Sequence, residues 1–329
     1  MGTVLVTGGA GYIGSHTAKA VAATGTTPVT LDTLENGHRD FVRWGPLVVA
    51  DVLDRAALDA VFDEHRPEAV LHFAGLIDSA DSVAHPDKYF RTNVEGTRTL
   101  LSCMETHNVT NLVFSSSAAV YGNDHNRPIR ENDTGIPATP YGQSKYDSEA
   151  AIRHAAEDLG LRWTALRYFN AAGASAQGEI GEAHDPETHL VPLAIAAAVN
   201  RTAFRVFGTD YDTPDGTAVR DFVHVEDLAD AHVRALGYLS QGGSSDVFNL
   251  GAGQGASVLE VLREVEIAVG KPVETSPEPR RPGDAPQLVA DWARAAEKMG
   301  WRPDRSGLDH IVSSAWQWHR SATTDQANK

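Results

Sequence analysis

Tyr141-Gly142-Gln143-Ser144-Lys145 sets a phenol and an ammonium four residues apart, on one face if the segment is helical. A cation beside a phenol stabilises the phenolate and draws a tyrosine pKa down from about 10 toward neutrality, as a general base at physiological pH requires. Ser115-Ser116-Ser117 closes an apolar run upstream. Ser117 could hydrogen-bond the same substrate hydroxyl and relay its proton. Alone, a Tyr-x-x-x-Lys pair is weak evidence, because an exposed pair at that spacing adds only about 0.3 kcal/mol to a helix and does no chemistry. A second feature gives it weight. Thr7-Gly8-Gly9-Ala10-Gly11-Tyr12-Ile13-Gly14 is a G-x-x-G-x-x-G loop between an apolar run and a helical pattern. Glycines at such a junction let the backbone turn tightly and let a pyrophosphate approach the free N–H groups of the helix. Asp32 closes the next apolar run, where an acid accepts hydrogen bonds from a ribose and repels a 2′-phosphate, so NAD is expected over NADP. Asp51-Val52 follows the third run; it either pins an adenine edge or caps the next helix.

These groups need a scaffold, and the hydrophobic pattern supplies one. Val4 to Val6, Pro28 to Leu31, Leu47 to Val49, Ala69 to Phe73, Asn111 to Phe114 and Arg162 to Leu166 read as buried strands. Amphipathic stretches from Asp54 to His65, Pro86 to His107 and Tyr141 to Leu159 read as helices between them. The expected fold is α/β, a doubly wound parallel sheet of the Rossmann kind, followed by a smaller α/β substrate domain. The division falls at 1–170 and 171–329, with some later segments crossing back. After Asn170 the chain reads as a long loop from Ala171 to Thr188, then helices near Pro192 to Val199, Glu226 to Leu239, Val258 to Val269, Trp292 to Met299 and Leu308 to Trp318. Phe204 to Asp221 mixes strand and turn signals, and Pro277 to Pro286 reads as irregular.

Composition narrows the function. Lys+Arg 28 against Asp+Glu 44 leaves a net charge of −16, which argues against nucleic acid or an anionic membrane as partner. With 42% hydrophobic and 22% charged residues the chain reads as globular. Cys103 is the only cysteine and is expected to be buried and inert, so neither a disulfide within the chain nor a thiolate metal site arises. The opening Thr3 to Thr7 run follows no signal-like leader, and a cytoplasmic enzyme is expected. Glu182, His184, Asp185, Glu187 and His189 have metal-like composition without metal-motif spacing; they read as a polar loop, and no metal is expected.

Taken with Asn93 in Thr92-Asn93-Val94-Glu95-Gly96-Thr97, Ser115 to Gly122 and Tyr168-Phe169-Asn170, these motifs resemble the extended short-chain dehydrogenase/reductases. More narrowly, the chain resembles the UDP-glucose 4-epimerase family, through Val219-Arg220-Asp221-Phe222-Val223-His224-Val225, Asn249-Leu250-Gly251 and Arg280-Arg281-Pro282-Gly283-Asp284. The resemblance covers nearly the whole chain. It implies an NAD-dependent isomerase that interconverts C4 epimers of a UDP-hexose through a transient 4-keto sugar. Tyr141, directly or through Ser117, would take the 4-hydroxyl proton while hydride passes to the nicotinamide and later returns to the other sugar face. Lys145 would bridge the nicotinamide ribose. The resemblance further implies cofactor contacts from Gly8, Gly11, Tyr12, Ile13, Gly14, Asp32, Asn36, Asp51, Val52, Phe73, Ala74, Gly75, Asn93, Ser115, Tyr141, Lys145 and Tyr168. Substrate contacts are implied for Ser117, Tyr141, Asn170, His189, Leu190, Val206, Arg220, Arg281, Asp284 and Leu288, the arginines binding diphosphate, and a homodimer is implied through the helices from Pro86 and Tyr141. Without the family, Arg220-Asp221 and Arg281-Asp284 read equally well as surface ion pairs.

Two departures stand out. Relatives carry a Lys after Phe-Ala-Gly-Leu, whereas Phe73-Ala74-Gly75-Leu76 runs here into Ile77-Asp78-Ser79, which is either tolerated drift or a reshaped pocket for another hexose. Leu288 stands where a large Tyr excludes an N-acetyl group in some relatives and a small residue admits it. A 4,6-dehydratase needs an acid beside the strand-end serine, and Ser117-Ala118-Ala119 has none. A non-catalytic NAD sensor would have no use for Ser117, Tyr141 and Lys145 together.

Overall fold

The computed structural model describes residues 2–125, 127–281 and 284–327. Its first half alternates strand and helix: β1 (Thr3–Thr7), α1 (Tyr12–Ala23), β2 (Thr27–Asp32), β3 (Leu47–Val49), α2 (Arg55–His65), β4 (Ala69–His72), α3 (Ser79–Ala84), α4 (Pro86–Tyr89), α5 (Gly96–Thr106), β5 (Asn111–Ser117), α6 (Pro140–Leu159) and β6 (Arg162–Tyr168). The later elements are β7 (Asn170–Ala172), α7 (Leu190–Asn200), β8 (Phe204–Phe207), β9 (Val219–His224), α8 (Val225–Ser240), β10 (Asp246–Leu250), β11 (Gly255–Ser257), α9 (Val258–Val269), β12 (Thr275–Glu278), β13 (Gln287–Leu288), α10 (Ala293–Met299) and α11 (Leu308–Ala327).

The main sheet runs β10-β6-β5-β4-β1-β2-β3, and every pairing is parallel. Residue alternation explains why its strands are apolar almost throughout, since both faces are covered. Leu5, Leu112 and Phe114 point to a core shared with Leu58 and Phe62 of α2, Leu100 and Met104 of α5 and Ile152 of α6. Val4, Val6 and Val113 point the other way, to a core with Val21 of α1, Leu228 and Ala235 of α8, and Trp301 beyond α10. The seventh strand, β10, comes from beyond residue 170; its Asn249-Leu250 was read as a motif and not as a strand. In the smaller part, β9 pairs with β7, β11 and β13. Helices α7, α9 and α11 close a third core through Val191, Ile195, Val261, Val265 and Ile311.

Two expectations need correction. The stretch from Pro86 to His107 is not one regular helix: Phe90–Glu95 forms a π-helical segment between α4 and α5. Such segments insert a residue and rotate the side chains that follow, and hydrophobic periodicity is too coarse to show it. Within Pro277 to Pro286, β12 extends through Glu278 in a parallel pair with β8. Pro277 is tolerated there because the bonds from Phe204 and Gly208 fall on the carbonyls of Glu274 and Glu278, leaving Pro277 on the side that needs no donor. Among the described residues no helix is long and apolar enough to cross a membrane.

Candidate active site

Strand order reverses at β1, whose neighbours β2 and β4 lead to opposite edges of the sheet. Ligands of open parallel sheets bind beyond the carboxyl ends of the strands at such a point. The glycine loop lies there. Gly8 has φ +71°, a left-handed conformation costly for other residues, and a Cβ on it would meet the Ala74 nitrogen at 2.6 Å. A Cβ on Gly14 would stand 2.3 Å from the Gly8 carbonyl oxygen. Phe73 and Ala74 donate to the Thr7 carbonyl at 2.9 and 3.0 Å, so the end of β4 forms the second wall. Gly11 is the N-cap of α1 and no side chain caps the helix, which leaves the N–H groups of the first turn, at Tyr12 and Ile13, available to an anion. The Tyr12 phenol itself turns away and donates to the Gly173 carbonyl at 2.6 Å. A cradle that any side chain would fill, opening on an uncapped helix, fits a dinucleotide pyrophosphate.

Asp32 ends β2 beside this loop, buried, with its carboxylate accepting from Ala10 N at 3.0 Å and Leu34 N at 2.9 Å. Burial raises its pKa and those two N–H groups oppose the rise. Asn36 lies exposed in the turn that follows. Of the two readings of Asp51, the capping one fails: Asp54 caps α2 by accepting from Ala57 N, while Asp51 is exposed and accepts from Leu53 N. Val52 is buried against Gly96.

β5 and α6 bring the chemistry together. Thr139 caps α6 by accepting from Gly142 N, and Pro140 takes the first helical position, so Tyr141 enters in the first turn. The Tyr141 phenol comes close to Ser117 at the end of β5, and both side chains are buried. Lys145 Nζ donates to the Ser115 carbonyl at 2.9 Å and stands 5.1 Å from the Phe114 ring centre. Burial pulls the Lys145 pKa down to about 8, with Glu149 opposing. The expectation that the ammonium acidifies the phenol is not met by the chain's own groups. Burial raises the Tyr141 pKa, and the group that lowers it is Ser117. The physical reason is that burial brings Lys145 down to about 8 while it pushes the phenol up, so the lysine gives up its charge before the phenol would ionise.

Asn93 hangs from the π-helical segment, buried, accepting from Leu76 N at 2.8 Å and donating to Leu76 O at 3.1 Å and Ser144 Oγ at 2.9 Å. It therefore ties the loop at Gly75 to α6. A Cβ on Gly75 would lie 2.9 Å from Asn93 Oδ1, so backbone and amide are pressed together beside Lys145. The Tyr168 phenol bonds Ser115 Oγ at 2.5 Å. Sequence reasoning missed a polar chain beneath these groups, in which Thr7 Oγ1 bonds His72 Nδ1 at 2.7 Å and His72 Nε2 bonds Thr97 Oγ1 at 3.0 Å. It also missed Glu149, whose signal was a carboxylate one helical turn beyond Lys145.

Among the residues for which the resemblance implies substrate contacts, Asn170 donates to the Asp221 carbonyl at 3.0 Å. Arg220 forms an ion pair with Asp284 and donates to the Ala285 carbonyl at 2.9 Å. The pairing read from sequence, each arginine with the acid nearest in its own motif, is thus replaced by a long-range one. Asp221 is instead buried, accepting backbone N–H bonds from Ala252, Gly253 and Ala290; burial raises its pKa to about 6 against those three bonds. Arg281 lies over the Phe207 ring at 4.0 Å. Pro282 and Gly283 of the same motif lie outside the described residues. Leu288 pairs in register with Arg220 and packs against the cluster that holds Tyr121 and Phe169, while Val206 is a buried residue of β8 in the third core.

His189, the N-cap of α7 just before Leu190, is not loose polar surface. Its Nδ1 lies 2.9 Å from Glu182 and 2.8 Å from Glu187, and Glu182 also faces His184 at 3.5 Å. Donor atoms of these four residues fall within 4.8 Å of one another, which sequence spacing did not reveal. Burial opposes charge on His189, but the two carboxylates hold its pKa up to about 10, so it stands as an imidazolium between carboxylates. Asp185 precedes a cis bond to Pro186 and is not among the four. At the sequence departure, Asp78 caps α3 by accepting from Ala80 N and Asp81 N, and Ile77 is half exposed. The acid in that position therefore has a structural task.

Residues 4–251 match the model of the NAD dependent epimerase/dehydratase family. The chain belongs to this family. It is 49% identical to the UDP-glucose 4-epimerase of Rhizobium leguminosarum bv. trifolii over 318 residues, 96% of this chain and 97% of that one. The crystal structure of UDP-glucose 4-epimerase from Brucella ovis in complex with NAD superposes with a TM-score of 0.94 at 46% identity, covering 96% of this chain and 98% of its own. That of the Bifidobacterium longum enzyme in complex with NAD+ and UDP gives 0.92 at 38% identity, covering 98% and 99%.

Proposed function

We propose that this chain is an NAD-dependent isomerase that interconverts UDP-glucose and UDP-galactose at carbon 4. The observation that carries the reading is the Tyr141 phenol set close to Ser117 at the end of the strand beside a dinucleotide cradle, with Lys145 one turn along the same helix. The close relatives support it. Ser117 presents its oxygen to the sugar 4-hydroxyl, and Tyr141 takes the proton, directly or through that serine, and later returns it. NAD, once bound in the cradle, would supply the hydride acceptor and, after transfer, the hydride donor. Lys145 holds the strand end through the Ser115 carbonyl and keeps an ammonium at the base of the site. Asn170, His189, Arg220, Arg281 and Asp284 serve the nucleotide diphosphate and ribose end. A dehydratase is disfavoured because Ser117 leads into the turn Ala118–Tyr121, with no acid beside it.

Incubation of the purified enzyme with UDP-galactose, products resolved by chromatography, is expected to give UDP-glucose, and the reverse, with no net change in nicotinamide absorbance at 340 nm. Failure on both sugars beside turnover of another nucleotide sugar would replace the substrate. Net accumulation of reduced cofactor would replace the reaction.

The same reading makes the enzyme a homodimer joined through α4, α5 and α6, and cytoplasmic, in keeping with its single free, buried cysteine. An apolar side chain left exposed on α6 supports the dimer: Tyr146 is 43% exposed. Light scattering at micromolar concentration is expected to report twice the 35.3 kDa chain mass, and Tyr146→Glu to lower it. A monomer in the unmodified protein removes the assembly.

A further inference from the structure

Glu149 takes no part in the chemistry above, yet it is completely buried and accepts four hydrogen bonds. Ser116 Oγ donates at 2.6 Å, Arg167 Nε and Nη2 at 2.8 and 2.6 Å, and Arg153 Nη2 at 2.7 Å. Ser116 and Arg167 are direct partners across β5 and β6, so one carboxylate on α6 grips both strands at the same level. That level is the catalytic one. Ser115, whose carbonyl takes Lys145, and Ser117, close to the Tyr141 phenol, flank Ser116. On α6, Tyr141, Lys145 and Glu149 follow at four-residue steps along one face.

A buried ion pair is a poor source of stability, because its desolvation cost about cancels its attraction and apolar residues of equal volume often serve better. Its geometry is what apolar packing does not supply: four directional bonds fix how far α6 slides and how it turns. We propose that Glu149 is a positioning residue for the Tyr141–Lys145 pair, the peg that sets α6 against β5 and β6, and the counter-charge of the Lys145 ammonium. The proposal rests on the epimerase reading of the same site.

The electrostatic half has a defined sign. Around Lys145, His72 of β4 is held neutral by burial, and burial likewise pushes the phenols of Tyr141 on α6 and Tyr168 on β6 upward. Glu149 supplies the negative charge that opposes loss of the Lys145 proton. Facing Glu149 itself are Arg153, Arg167 and the Tyr121 ring that Arg167 covers at 4.8 Å. Removing the negative charge leaves cations behind, so Lys145 gives up its proton at lower pH.

The test compares Glu149→Gln, Glu149→Asp and Ser116→Ala with the unmodified NAD-loaded enzyme, measuring kcat, KM and the pH profile on UDP-galactose. Glu149→Gln is expected to keep its NAD and a KM within about threefold, to lose about 10- to 100-fold in kcat, and to lose activity at lower pH on the alkaline side. Glu149→Asp and Ser116→Ala keep the charge while loosening the grip; both are expected to lower kcat with the alkaline limb unmoved. An unchanged kcat and limb in Glu149→Gln overturns the proposal, as does a change in melting temperature with normal kcat per NAD-loaded enzyme. Should Glu149→Gln fail to fold, an unchanged kcat in Ser116→Ala and Glu149→Asp overturns it equally. An unmodified enzyme inactive on both UDP-hexoses would instead strike the epimerase reading.

Discussion

Tyr141→Phe is expected to retain its dinucleotide and to bind UDP at near-normal affinity, while turnover falls by roughly 10²- to 10⁴-fold. The substitution removes one oxygen from a nearly buried ring and changes no volume that the core depends on. What it deletes is the hydroxyl close to Ser117, and with it the proton's acceptor and donor. Ser117 alone cannot replace it, because a serine hydroxyl is far too weak a base, and its oxygen already accepts from Ala119 N at 3.1 Å. The measurement is kcat beside calorimetric binding of UDP, with NAD content read from the denatured protein. Near-normal kcat would remove Tyr141 from its role, and loss of NAD or UDP binding would show a structural role instead. The pH profile bears on the same site. Lys145, brought down to about 8 by burial, loses its positive charge as pH rises through that value, and the alkaline limb of kcat is expected there.

How much of this was legible in the sequence follows from range. The glycine loop, Asp32, the six early strands and the Tyr-x-x-x-Lys helix are local patterns, set by neighbours a few residues apart, and they stand where the periodicity put them. Charge partnerships across the fold were not legible. Arg220 lies beside Asp221 in sequence, yet Asp221 folds inward to three backbone N–H groups and leaves Arg220 to Asp284. The segment 182–189 showed only composition, because a loop without periodicity gives no rule for which side chains meet. Asn93 matched its motif but not its reason: the π-helical insertion that aims it at Leu76 and Ser144 leaves no mark in an apolar pattern. The acidified phenol is not met by the chain's own groups, since spacing on a helix says that two groups are near and nothing about how deeply each is buried. Glu149 was in plain view at the next helical step, but a carboxylate on an amphipathic helix is ordinarily solvated, and its burial depends on Arg167 from another strand.

Gly14→Val is expected to abolish cofactor binding, and turnover with it. Gly14 has ordinary helical geometry, so the demand for glycine here comes from space and not from φ. A Cβ would stand 2.3 Å from the Gly8 oxygen, 2.9 Å from Gly9 Cα and 3.0 Å from the Gly8 carbonyl carbon. All three neighbours are backbone of the cradle itself, so relief requires moving the loop that receives pyrophosphate or pushing α1 off the sheet. The loop is the weaker of the two: α1 is anchored by Val21 in the core beside Val4 and Val6, whereas Gly8 and Gly9 are held chiefly by Gly8 N bonded to Leu31 O at 2.7 Å. The variant should therefore stay folded by circular dichroism, purify without NAD and fail to recover it at millimolar cofactor. Gly14→Ala places the same Cβ without branches and is expected to lose less affinity, which separates steric displacement from unfolding. A Gly14→Val protein that purifies with one NAD per chain would mean that the pyrophosphate lies elsewhere, and Tyr141, positioned by the same end of the sheet, would then have no hydride acceptor beside it.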